Sequence, residues 1–255
     1  MDALVAQAVA TLFLTLRIVP TLAFAQPFTL IRIPALVRVM LAIALAGWMV
    51  AANPDTTWRM TPPPGGVLAV AGGELLLGIA LALALQLAFA ALLVAGRAID
   101  IQAGYGLAVL VDPATRAQLP LVGTVLAYAA GAIFFATQGP ARLLAIWGAS
   151  VRRVPLGSAL GRIDPQIVIG YVSGVFLLAL GLAGLVLVVL LILDLAIAFM
   201  SRTLPQMNVL LLGFQVKTLA TLILLPVALA LSGSLFATIL EYAFDTMNAL
   251  GEGMG

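Results

Sequence analysis

The sequence has 255 residues, of which 64% are hydrophobic and 9% charged; a soluble domain is nearer half apolar and a quarter charged. No soluble fold of this size keeps so much aliphatic surface from water, so the chain falls in the membrane class. A net charge of +2, from 12 basic and 10 acidic residues, argues for no nucleic-acid partner, and the absence of Cys and His excludes disulfides, thiol and imidazole chemistry and zinc sites.

The chain opens Met1-Asp2-Ala3-Leu4 and runs straight into apolar sequence. A basic n-region and a small-residue cleavage site are missing there, so the first segment is expected to be retained. Six apolar stretches follow in order. They run from about Leu4 to Ala25 with Arg17 inside, and from about Ile33 to Ala52 with Arg38 inside. The third runs from about Val67 to Val94 with Glu74, the fourth from about Leu119 to Ala136 with no charge. The fifth runs from about Ile167 to Met200 with Asp194, the sixth from about Val209 to Phe244 with Lys217 and Glu241. Leu and Ala dominate without period-two alternation, which favours helices over membrane strands. Three stretches exceed the roughly 20 residues that a span needs, so they are expected to tilt, kink or leave the hydrocarbon, with Pro226 and the glycines at 170, 174, 181 and 184 as places to bend.

The connections are of different kinds. Asn53-Pro54-Asp55 and Pro62-Pro63-Pro64-Gly65-Gly66 cannot be helical. Gln138-Gly139-Pro140 begins a break, and Ala141 to Val154 reads as a short amphipathic helix carrying Arg142, Arg152 and Arg153. Thr203-Leu204-Pro205-Gln206 makes a tight turn, so the last two stretches form a hairpin in which Lys217 could reach Asp194. Asn208 would cap the final stretch. Gly170 and Gly174 have the spacing of a small-residue packing face, and Trp48 and Trp58 flank one segment end as interfacial anchors do.

Charge placement argues against six simple spans. If all six cross, one side receives Arg32, Arg38, Arg97, Arg116 and Arg202, and the other Arg59, Arg142, Arg152, Arg153 and Arg162. An even split gives no orientation, whereas spanning proteins usually show a basic bias. Arg17, Glu74, Asp194 and Lys217 inside apolar stretches are each costly in lipid, and are tolerable where they pair, face water or lie outside the hydrocarbon.

The stretch from Gly96 to Gly123 is the most unusual. Arg97 and Asp100 are three apart and could pair on a helix face. Gln102, Gly104, Tyr105 and Gly106 follow, then apolar Leu107 to Val111, then a stop at Asp112-Pro113. This is either an interfacial connection between two helices or a re-entrant plug, since irregular backbone at membrane depth needs protein or a wet cavity around it. No phosphate loop, nucleophile elbow or metal cluster is present, and no cofactor is expected.

These residues resemble the FliR family of flagellar export-gate proteins and its injectisome counterparts. The resemblance rests on Arg17, Pro20, Pro34 and Arg38; on Gly96 through Gln102-Ala103-Gly104 to Asp112-Pro113; on Arg202 with Pro205-Gln206-Met207-Asn208; and on Gly213-Phe214 leading to Lys217. It covers essentially the whole chain. It implies an all-α membrane protein of long, kinked, tilted helical hairpins, with a FliP-like part over about 1–165 and a FliQ-like hairpin over about 166–255. It implies no enzyme. The implied function is a structural and gating subunit of the type III protein export channel at the flagellar basal body in the bacterial inner membrane, partly on the periplasmic side. FliP-like, FliQ-like and FlhB-like subunits, unfolded export substrates and lipid are the implied partners. The resemblance further implies a pore plug at Gly104, Tyr105, Gly106, Leu107, Val109, Leu110, Val111, Asp112 and Pro113. Arg17, Arg38, Glu74, Arg97, Asp100, Asp194, Arg202 and Lys217 would be assembly charges, and Pro205, Gln206 and Asn208 a hairpin turn. Family members often carry Met after the Gln and a polar residue in the loop, where this chain has Ala103 and mainly apolar residues. Injectisome members often place a basic residue after that Gln, so Ala103 favours the flagellar branch. The competing readings are an injectisome subunit, a proton-coupled transporter using Glu74, Asp194 and Lys217, and an intramembrane enzyme. The transporter would call for inverted repeats, which the sequence does not show.

Overall fold

A computed structural model describes residues 2–31, 33–54, 66–105, 110–111, 118–157, 165–203 and 209–252. Within them the regular secondary structure is helical apart from one minimal strand pair. The helices are α1 (Asp2–Phe24), α2 (Ala35–Ala52), α3 (Gly66–Ala103), α4 (Leu121–Ala136), α5 (Gly139–Arg153), α6 (Pro165–Thr203), α7 (Val209–Leu231) and α8 (Gly233–Glu252). Strands β1 (Leu110–Val111) and β2 (Gln118–Leu119) pair antiparallel, Leu110 opposite Leu119 and Val111 opposite Gln118.

Five helices are long and apolar enough to span a bilayer: α1, α2, α3, α6 and α7. The fourth stretch does not qualify alone; α4 and α5 qualify only as a pair bent by 71°. The expected amphipathic helix after Pro140 is present as α5. It buries Leu143, Ile146, Trp147 and Val151 on one face and carries Arg152 and Arg153 in its last turn.

Two expectations about boundaries are corrected. The third helix does not stop near Val94, where the apolar stretch ends, but runs through Gly96 to Ala103, which puts Arg97 and Asp100 on helix as their spacing anticipates. Its glycine serves a close approach to a neighbouring helix and does not end the element. The sixth stretch is two helices. Pro226 lies inside α7, and the break falls at Ser232, after which α8 is amphipathic and is not a span candidate.

The chain divides into two compact units, the first comprising 1–88, 131–173 and 240–255 and the second 89–130 and 174–239. In the first unit, Phe28, Phe134, Phe135 and Phe244 meet edge-on or tilted at centroid distances of 5.2 to 6.2 Å. In the turn after α1, Gln86 Oε1 accepts the Gln26 N–H at 2.9 Å. In the second unit the apolar stretch of α6 and α7 is largely open: Leu177, Leu185, Val188, Leu191, Ile192 and Leu195 are exposed on α6, and Leu219, Leu222 and Ile223 on α7.

Candidate functional site

Two groups of charged residues occupy the apolar helices, one in each unit.

In the first unit the group begins with a backbone contact. Pro20 has no N–H, so the Leu16 carbonyl one turn earlier loses its helical partner. Gly78 of α3 packs there: a Cβ at Gly78 would lie 2.6 Å from the Leu16 carbonyl oxygen and 2.9 Å from the Arg17 Cα. Glu74 stands one turn before Gly78, on the same helix face, and is thereby set beside Arg17. The Arg17 guanidinium donates from Nε to Glu74 Oε2 at 2.8 Å, and its Nη2 stands 2.7 Å from that oxygen. Nη1 donates to Ser150 Oγ at 3.0 Å, and Nη1 and Nη2 both donate to the Val154 carbonyl at 3.1 Å. The other carboxylate oxygen of Glu74 accepts the Gly157 N–H at 3.0 Å. Both side chains have 0% exposure. Val154 is the C-cap of α5, so Arg17 also satisfies a carbonyl that the helix leaves open.

In the second unit Lys217 of α7 and Asp194 of α6 form an ion pair, as the hairpin reading anticipates. Gln102 joins them: its Nε2 donates to Asp194 Oδ2 at 2.7 Å, and its carbonyl accepts from Lys217 Nζ at 3.2 Å. Gln102 lies in the last turn of α3, so Lys217 too occupies an open helix carbonyl. Next to it Gly104, at φ +86°, ends the helix in a conformation that suits glycine. A Cβ there would come within 3.2 Å of the Phe214 ring. Tyr105 donates its hydroxyl to the Thr218 carbonyl at 3.3 Å.

Two further charges act similarly. Arg38 donates from Nη1 to the Ala23 carbonyl in the last turn of α1. Asp100 is buried and accepts the Val122 N–H at 3.0 Å, at the first turn of α4. Among the described residues Arg97 and Asp100 make no direct ion pair: Asp100 bonds to a helix N-terminus, and the exposed Arg97 bears on it through its charge alone. Ionisable groups inside the apolar helices thus serve mainly to close helix ends. Sequence spacing could not show this, because Arg17 and Glu74 are 57 residues apart, and Arg17 and Val154 137.

Arg202 is exposed at the end of α6. Gly106, Leu107, Val109, Asp112 and Pro113, like Pro205, Gln206 and Asn208, lie outside the described residues; Leu110 and Val111 are described as backbone only. A Cβ on Gly170 would meet no other atom, and its carbonyl accepts the Tyr242 hydroxyl at 3.2 Å. Among the described residues no group of acidic side chains could hold a metal ion.

The fold is that of a helical membrane protein whose internal charges bond mostly to its own helices. The profile of bacterial export proteins, family 1, matches residues 8–243, and the chain belongs to this FliR family of export proteins, whose members are structural subunits and not enzymes. It is 27% identical over 183 residues to the flagellar biosynthetic protein FliR of Bacillus subtilis (strain 168), across 69% of this chain and 70% of that one. It is 30% identical over 142 residues to the protein of that name from Escherichia coli (strain K12), across 55% of this chain and 54% of that one. Against the Aquifex aeolicus (strain VF5) protein of that name it is 30% identical over 166 residues, 64% of each chain. The matches thus span between just over half and about two thirds of these relatives' lengths.

Proposed function

We propose that this chain is the structural and gating subunit of a flagellar type III protein export channel, in which it completes a pore with FliP-like and FliQ-like subunits, surrounded by an FlhB-like one, in the bacterial inner membrane. Unfolded export substrates pass through that pore. The part over about 1–165 is FliP-like and the part over about 166–255 a FliQ-like hairpin. The flagellar branch is favoured over the injectisome one because the relatives bear flagellar names.

The observation that carries the assembly is the length of the apolar surface on α6. Its exposed large hydrophobic residues extend from Ile169 to Met200. At 1.5 Å per residue that is about 46 Å of helix, against about 30 Å of hydrocarbon. A tilt of about 40°, the top of the usual range, still leaves about 35 Å along the normal. The remainder calls for cover by other protein, which suits a subunit embedded in a larger helical assembly. A proton relay fits less well, because both oxygens of Glu74 are engaged and Asp194 is held by Lys217 and Gln102.

The 104–118 loop is the plug of this channel, its apolar residues Val109, Leu110 and Val111 sealing the pore against ions. Deletion of Leu107 to Val111 should raise ion conductance of the assembled complex in planar bilayers while leaving assembly intact. Conductance at the wild-type level with an intact complex would remove the plug assignment.

A further inference from the structure

The loop leaves α3 at Ala103 and rejoins helix at Leu121. What fixes its return is visible in the described residues on both sides. Helix α4 starts after Pro120, whose carbonyl accepts the Thr124 N–H at 2.9 Å and so occupies the N-cap. A cap residue ordinarily supplies a side-chain oxygen to the open N–H groups of the first turn. Proline has none. The missing acceptor comes from 22 residues earlier: Asp100 Oδ1 takes the Val122 N–H at 3.0 Å. One turn before Asp100, on the same face of α3, Gly96 meets Gly123 so closely that a Cβ on Gly96 would overlap the Gly123 backbone. From the other side, a Cβ on Gly123 would lie 2.8 Å from the Leu93 carbonyl oxygen. Asp100 is 3% exposed.

We infer that Asp100 is a positioning residue of the gate: a cap supplied in trans by α3 that ties the first turn of α4, and with it the returning end of the loop, to the helix from which the loop departs. This rests on the plug reading above. The β1–β2 register carries the fixed return inward, since Gln118 and Leu119 pair with Val111 and Leu110. Held this way, the end of α3 and the start of α4, between which the loop runs, keep a set spacing. The bond needs an acceptor and no charge, so asparagine can replace aspartate and alanine cannot.

The test uses the assembled export complex, with conductance in planar bilayers and hydrogen exchange of the 119–124 amides as readouts. Asp100→Ala should raise the leak by about tenfold, the scale of one lost cap, and speed exchange at Val122. Asp100→Asn should stay near wild type in both. The double variant Asp100→Ala with Pro120→Ser separates tether from simple helix cap. Serine at the N-cap gives α4 a local acceptor but no bond to α3, so exchange should recover while the leak stays high. Recovery of both would overturn the tether, as would a severe defect in Asp100→Asn. If Asp100→Ala lowers the yield of complex, Gly123→Ala spreads the same helix pair with the carboxylate intact and should leak as well; a wild-type leak there would also overturn the tether. The loop deletion separates the two claims. If it leaks and Asp100→Ala does not, the tether is wrong and the plug stands; if neither leaks, the plug reading fails.

Discussion

The two ion pairs differ in how completely their partners are used. Arg17 and Glu74 have 0% exposure, and the guanidinium is spread over Glu74, Ser150 and Val154. Lys217 and Asp194 are 19% and 36% exposed, and their one further partner in this group is Gln102. The first pair joins α1, α3 and the end of α5 and has no solvated alternative. The second is partly open to water. A lock and an adjustable contact are thus built from the same kinds of group, and burial decides which is which.

The largest effect is expected from breaking the lock on one side. Glu74→Leu strands Arg17 as a buried, unpaired charge and should cost about 3–5 kcal/mol, read as a large drop in the unfolding temperature of detergent-solubilised protein. Adding Arg17→Met should recover much of that loss, because two apolar residues leave no unpaired charge. A double variant as unstable as the single one would mean that the bonds to Ser150 and Val154 carry the effect instead.

Lys217→Met comes next and sharpens the contrast. With Asp194 partly solvated, the stability cost should be about 1 kcal/mol, while export should fall more than stability does. This is measured as substrate release against complex yield. Equal losses would place Lys217 with the lock. The smallest effect belongs to Arg142→Gln. Arg142 meets Glu241 at 3.5 Å with side chains 49% and 60% exposed, and lies 5.4 Å from the centre of the Phe244 ring. A surface pair of this kind contributes under about 1 kcal/mol, so the unfolding temperature should barely move.

Much of the fold could be read from the sequence, because apolar runs and amphipathic spacing are local. Helix α5 was readable from its Arg residues and its Pro140 start, and the Asp194–Lys217 pair from the geometry of a hairpin. What could not be read depends on residues distant in sequence. Gly96 is where Gly123 makes contact, 27 residues along the chain, and nothing in the local spacing announces it. Asp100 reads as a partner for Arg97, and its role depends on a helix start 22 residues later. Pro226 reads as one place to bend and lies inside α7; the break between α7 and α8 falls at Ser232. Of the Arg residues in the even split, Arg38 closes the end of α1 and does not mark a membrane side. It belongs to the architecture, which weakens a topology inferred from counting it.

Whether the chain works inside an assembly is tested most directly by the mass of the native complex purified by way of this subunit under mild detergent. The account predicts a multi-subunit helical ring containing FliP-like and FliQ-like chains. A stable, folded monomer that retains export function would contradict it.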